Sequence, residues 1–420
     1  MLSMKGYVSF LTLFMASVSM FAADKVKITV ENRLSAERLE MAEMEMSSIR
    51  NKLGTDNFIV TDADGREIPS QKTYDGKLIF QVGVPSKGKS VYYAVHGNAT
   101  EYEPLVFGRQ FLEYNKDIAW ENNYVAFKCS CSDSTLNNKK ESFGYDVLNK
   151  RTTDLVVEAR YKNEFDNNIQ ATIRRLRELG YGDLADDVYN SISYYVDHGN
   201  GLDCYKSLAS LGCGTSALLV GNDMSIQYPN TCKKCTILDN GPLRFTFQMS
   251  FDTIKVDGKY VVEKRVLSLD ANSHMNRVEV VYEEMPSSVQ TSVGIVIHKE
   301  NPYAYIMNVK DGYMMYEDLG DPELYKDKYR SEQNLDFGHT YVGVAFPATT
   351  DKMFFKPDED NPDAVGHIFG VMGQKPSFTY YFGSAWNRNA STDIISMADW
   401  ESYLNGFAKR IKSPLVISIK

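Results

Sequence analysis

The sequence predicts a mainly β protein: a large antiparallel β-sandwich with a small N-terminal β-module and a few peripheral helices. Three observations carry that expectation. Short stretches rich in β-branched and aromatic residues recur along nearly the whole chain. Turn dipeptides separate them, among them Asp-Gly at 64–65 and 75–76. In VVEKRVLSL and NRVEVVYEE charged residues alternate with apolar ones, the pattern of strands with one solvated face.

The chain opens MLSMKGYVSFLTLFMASVSMFAADKVKITV. One lysine precedes an apolar run from Tyr7 to Phe21, and the small pair Ala22-Ala23 follows, which predicts a cleavable signal peptide over 1–22 and export to the periplasm or exterior. The run is short for a membrane span, and no later stretch reaches the roughly 20 apolar residues a span needs. Residues 23–100 read as the N-terminal module, with strands in KVKITV, FIVTDADG, KLIFQVGV and SVYYAVHG. Residues 35–53 have helical composition, but LEMAEMEM alternates, and a strand is expected over 39–46.

The large domain, 101–420, carries strands in YVAFKC, DLVVEARY, LRFTFQMSF, YVVEKRVLSL, NRVEVVYEE and SVGIVIHK. A helical insertion interrupts it near 166–193. There Ile169, Ile173, Leu176 and Leu179 form one stripe and Leu184, Val188 and Ile192 another, on two short helices about Gly180 and Gly182. SMADWESYLNGFAKRI reads as an amphipathic C-terminal helix with Ser391 or Ser396 as N-cap.

Composition narrows the partners. A formal net charge of −9 argues against nucleic acid, but a local cationic pocket can still hold an anionic sugar. The six cysteines, in CSC, Cys204, Cys213 and TCKKC, favour disulfides or free thiols in an exported chain; no second CxxC or paired His completes a metal site. GxSxG, P-loop, HExxH and GxGxxG motifs are all absent, so no cofactor is expected.

Three clusters remain. In AWENNYVAFK, Trp120 offers a flat face for a sugar ring and Glu121 and Asn122 offer hydroxyl partners; the structural alternative is a strand start with Trp120 in the core. In YYVDHGNGLDCYK, His198 and Asp203 suit an acid/base pair, Tyr205 a phenolic proton carrier, and Lys206 a cation for a substrate carboxylate, with Tyr195 as a neighbour. Gly199 and Gly201 would allow a tight bend, and a plain helix-to-strand turn is the alternative. The third cluster is strand-borne: Arg244, Arg265 and Arg277, with His298 at a strand end and His274 in a turn, suit bidentate contact with a uronate. Ordinary cross-strand pairing with Glu263 and Glu279 is the alternative.

The series AWENNYVAF, YDVLNKRTTDLVVE, DHGNGLDCYK, SLGCGTSAL, LDNGPLR and EKRVLSLDANSHMNRVEV resembles a family of exported proteins carrying a domain of unknown function, from about residue 26 to the C-terminus. The resemblance implies a galactose-mutarotase-like β-sandwich and a role in breaking down pectin, particularly rhamnogalacturonan-type chains. The shared positions are Trp120, Glu121, Asn122, His198, Gly199, Gly201, Asp203, Tyr205, Arg244, Asp270, Asn276 and Arg277. Asn123 and Asn200 stand where relatives carry carboxylates, which weakens a glycosidase reading that needs an acidic pair there. The expected function is an exported carbohydrate-active protein acting on uronate-containing oligosaccharides by β-elimination or hydrolysis, with a glycan binder and a mutarotase-like epimerase as the alternatives.

Overall fold

The computed structural model describes residues 25–114, 116–131, 144–207, 209–320, 337–359, 361 and 364–420. The expected signal peptide lies outside them. The described chain is built from antiparallel sheets, as its alternation predicts. In Lys259–Asp270 burial alternates residue by residue from Val261 onward, so one face packs inward and the other carries Lys264 and Ser268.

Two sheets form the large sandwich. A nine-stranded sheet runs from Cys232–Asn240 through Arg244–Phe251, Lys259–Asp270, Met275–Glu283, Ser377–Trp386 and Thr340–Ala345 to Tyr313–Asp318 and Tyr305–Asn308, with Ile254–Val256 pairing Lys259–Asp270 off this path. A five-stranded sheet containing Thr215–Val220, Gln290–His298 and Ala364–Gly373 packs against it. Phe247, Leu267, Val278, Ile295, Ile368 and Phe382 lie in the core between them. A four-stranded sheet, with Val106–Gln110, Asp117–Asn122, Ala126–Ser130 and Asp146–Val147, extends the same core. One disulfide, Cys131–Cys232, ties this sheet to the edge of the large one, while Cys129, Cys204, Cys213 and Cys235 are free thiols.

The N-terminal module has its own core of Val26, Ile28, Val60, Phe80 and Val82 between a five-stranded and a three-stranded sheet. Residues 39–46 are mostly strand, within Arg38–Glu45, as the alternation of LEMAEMEM indicates. The chain's last strand, Val416–Ile419, returns to this module and pairs with Lys25–Glu31. The end of the sequence, expected in the large domain, therefore stitches the two units together.

One strand expectation needs correction. DLVVEARY is not a strand: Val157–Glu164 is a helix, and the Glu121 carboxylate accepts the Val157 amide at 2.7 Å, satisfying one of its open donors. The hairpin after it holds helices Asn167–Glu178 and Gly182–Asn190, with Asp166 as N-cap of the first. Of its two stripes only Ile173 is fully buried; Leu179 and Leu184 face solvent. The C-terminal helix, Met397–Lys412, starts at Ser396, whose Oγ accepts the Asp399 amide. It lays Trp400 and Leu404 on the large sheet, and burying such side chains contributes about 2–3 kcal/mol each. No helix among the described residues is long and apolar enough to cross a membrane.

Candidate functional site

The stretch Tyr194–Lys206 divides into a turn and a buried strand-like segment. In the turn, Asp197 Oδ1 accepts the amides of Gly199 and Gly201, and Asp197 Oδ2 takes Arg151. Gly201 sits at φ +101°, where a Cβ would lie 2.1 Å from the Asn149 carbonyl, so glycine is required. The Arg160 guanidinium bonds the Asn149 and Asn200 carbonyls and fixes the bend. Leu202 to Ser207 then run through the interior, each residue buried.

This segment brings two charged groups of residues together. Asp203 accepts Lys128 at 2.5 Å, and Lys128 Nζ lies 3.6 Å from Asp146 Oδ2. One ammonium thus faces two carboxylates, and it sits closer to Asp203. Burial pushes the Asp146 carboxyl up to about 7; the Lys128 charge opposes the rise and the Asp203 charge adds to it. Asp146 is therefore a carboxyl that keeps its proton up to near-neutral pH. The rings of Tyr194 and Tyr195 lie 5.2 and 6.0 Å from Lys128 Nζ.

The second group centres on His298. Its Nδ1 meets Asp318 Oδ1 at 2.7 Å, and Asp318 Oδ2 accepts the Gly320 amide. With Nδ1–H donated to the carboxylate, Nε2 is the ring atom left to accept a proton. The Tyr205 ring stands edge-on to this imidazole at 5.6 Å. Its hydroxyl is buried and has no hydrogen-bond partner among the described residues. Burial raises the Tyr205 phenol well above its ordinary value, and the charges of Asp318 and Asp146 act in the same direction, so the phenol stays protonated. Tyr205 is thus the residue that both groups share.

The other predicted site residues fall elsewhere. His198 is exposed on the turn, its Nε2 3.1 Å from the Ser193 carbonyl, and does not join Asp203. Trp120 is wholly buried: its indole N–H donates to Asn276, and Phe127 and Phe247 cover its faces, leaving none for a sugar. Glu121 pairs with Lys150 at 2.7 Å, and Asn122 bonds the Asp270 and Ser273 carbonyls. Arg265 is a core residue held by Glu263, Tyr145 and the Ser216 carbonyl. His274 is fully buried beside Trp400 and Tyr403 with its pKa lowered to about 4. Arg244 is spent on Asp270 and Glu43, and with Arg277 it lines a separate cleft beside the N-terminal module. Of the predicted set, Asp203, Tyr205, Lys206, Tyr195 and His298 remain in or next to the interior cluster.

Sequence reasoning missed Lys128, Asp146 and Asp318. Asp146 lies in a stretch that carries the family resemblance, YDVLNK, and Lys128 directly follows another, AWENNYVAF, but they are adjacent only because Lys128 pairs with Asp146 across two strands. Asn123 and Asn200, which replace carboxylates, lie outside the cluster: the Asn123 amide bonds Asn272, and the Asn200 carbonyl accepts Arg151 and Arg160. Among the described residues, no three His, Cys, Asp or Glu side chains gather as a metal site.

The chain is 24% identical over 414 residues to uncharacterized protein P7 of Formosa agariphila, covering 94% of this chain and 93% of that one. Among solved structures, an α-mannosidase from Enterococcus faecalis V583 aligns with a TM-score of 0.47 at 10% identity, and a glycosyl hydrolase family 38 protein from Enterococcus faecalis with 0.47 at 9%. Each alignment covers 96% of this chain, which spans about half the length of those two proteins (46% and 48%). Residues 30–417 match the model of the domain of unknown function DUF4861, and the chain belongs to that family.

Proposed function

We propose that this protein is a carbohydrate-active enzyme that cleaves a uronate-containing oligosaccharide of the pectic, rhamnogalacturonan type by β-elimination at the interior cluster. The observation that carries the reading is the pairing of a carboxylate-backed imidazole, His298–Asp318, with the unpartnered hydroxyl of Tyr205. One group is set to accept a proton and the other to give one, which is what the reaction asks of an enzyme. The acidic substrate is the finer part of the proposal. It rests on the ammonium of Lys128 and the protonated carboxyl of Asp146, a charge and a donor suited to a carboxylate.

In this reading Lys128 and Asp146 engage the uronate carboxylate and acidify the adjacent C–H. His298 Nε2 takes that proton. The C–H electron pair becomes the new double bond, the bond to the leaving oxygen breaks with its pair, and Tyr205 protonates that oxygen. Passage of a proton from His298 back to Tyr205 resets the site, and Asp318 stabilises the imidazolium meanwhile. Lys206, buried next to Tyr205, is assigned to holding the segment in place.

The test is ultraviolet absorbance of the unsaturated uronate product on rhamnogalacturonan and homogalacturonan oligosaccharides. Absorbance that grows with wild type and is lost in Tyr205→Phe supports the reading. Its absence on every acidic glycan overturns it. We further propose that the protein is exported; amino-terminal sequencing of the protein recovered from its native host, starting near residue 23, tests this.

A further inference from the structure

We propose that the cleft between the N-terminal module, the nine-stranded sheet and the C-terminal helix is a second binding site, and that it takes an acidic sugar without transforming it. The choice of a uronate probe rests on the function proposed above; the cleft itself does not.

Its volume is about 590 Å³, within the ~300–1,000 Å³ of small-molecule sites. Three units meet there: Arg38 comes from the module, Arg277 and Tyr381 from the sheet, and Tyr403, Phe407 and Arg410 from the helix. The aromatic side gives an apolar wall, in which the Tyr403 ring is also stacked on Trp400. Tyr403 and Phe407 stack with centroids 6.2 Å apart, and Tyr381 stands edge-on to Phe407 at 5.2 Å. Such a wall offers apolar contact to the C–H groups of a sugar.

The cationic side supplies the charge. Arg277 is 38% exposed, bound to Glu279 and to the Tyr381 phenol, and keeps donors open to solvent. Arg410 lies over Tyr403 and Phe407 and reaches Glu40 only at 3.5 Å. Arg38 is 2% exposed; it bonds the Ser413 carbonyl and Glu40, but its Nε–H has no acceptor among the described residues. A buried donor left unmatched costs about 1–3 kcal/mol, so an acceptor oxygen entering here meets a standing need. The carboxylates on the lining are already engaged: Asp270 and Glu43 close on Arg244, and Glu40 on Arg38. What remains to be satisfied is guanidinium, which selects an anion.

Nothing in the cleft resembles the interior pairing of an imidazole with a free hydroxyl. Among the described residues its lining holds no histidine, which fits a site that holds a chain rather than cuts it.

Calorimetric titration tests the proposal with digalacturonate as probe and neutral galactobiose as control, in the full chain carrying Tyr205→Phe so that the probe is not consumed. Digalacturonate is expected to bind, at least tenfold more tightly than galactobiose. Arg277→Gln with Arg410→Gln is expected to remove one binding equivalent or weaken it at least tenfold. Arg277→Lys with Arg410→Lys is expected to retain it within about threefold, which separates lost charge from lost fold. Unchanged binding in the Gln pair, equal binding of the neutral sugar, or no binding at all would overturn the proposal. If the interior cluster is not a sugar site, the stoichiometry is one and the Gln pair abolishes it; if both sites exist, it falls from two to one.

Discussion

His298 and Asp318 meet at 2.7 Å across the sandwich, one at the end of a strand in the five-stranded sheet and the other at the end of a strand in the nine-stranded sheet. Each layer supplies half of the pair, so its geometry depends on how the two sheets pack. Both side chains are buried, and an imidazole so held presents Nε2 in a fixed tautomer.

Tyr205→Phe separates chemistry from stability. The hydroxyl has no partner among the described residues, so its removal should change stability by less than about 1 kcal/mol. Activity should fall by roughly 10²-fold or more, the usual contribution of a positioned proton donor. Chemical denaturation and initial rates on one preparation check both. Loss of activity together with collapse of stability would show a packing role instead.

Asp146 should set an alkaline limit. Its folded pKa of about 7 lies above the ordinary 3.8, so the native state holds a proton that the unfolded chain releases between those values. Stability contributed against the unfolded chain therefore declines as pH rises through that window, by at most about 1.4 kcal/mol per pH unit. Asp146→Asn should gain stability relative to wild type between pH 4 and pH 8. The kcat/KM of the wild type should fall above about pH 7. Denaturation curves at the two pH values, and a rate profile without that limb, decide the matter.

Two buried histidines should make the protein acid-sensitive. Burial lowers His274 to about 4 and His367 to about 3, with the His298 charge a further cause for His367. Both are neutral when folded, whereas the unfolded chain takes up protons below about 6.5. Their stabilisation is complete above that pH and is lost as pH falls towards 4. Between pH 7 and pH 5 the melting temperature of the wild type should fall relative to that of His274→Gln.

The two glycines of HGNG should differ. A Cβ on Gly199 meets nothing within 4 Å, so Gly199→Ala bears only the cost of φ +89°, about 1–2 kcal/mol. Gly201→Ala adds a clash with the Asn149 carbonyl and the Arg160 guanidinium. It should destabilise by roughly 3 kcal/mol or more and displace the segment that carries Asp203 and Tyr205. Equal effects in paired melts would contradict this account of the turn.

Strands and the C-terminal helix were legible because alternation and a 3.6-residue stripe are local signals, as in Lys259–Asp270 and in Met397, Trp400, Leu404, Phe407 and Ile411. The helix Val157–Glu164 was not, because DLVVEARY has strand composition and its helix start is stabilised by Glu121, distant in sequence. The opening half of YYVDHGNGLDCYK resolved as a turn and the closing half as part of the cluster. Trp120 read as a sugar platform because sequence cannot show the rings that cover it. Lys128, Asp146 and Asp318 escaped notice because each is an ordinary strand residue until the sheets pack and place it beside Asp203 or His298.

The most direct measurement is the mass of the products formed from a purified rhamnogalacturonan oligosaccharide. β-Elimination predicts two fragments whose masses sum to that of the substrate, one bearing an unsaturated uronate, with formation abolished in His298→Ala. Fragments that together weigh one water more than the substrate, or an unchanged oligosaccharide, would contradict the account.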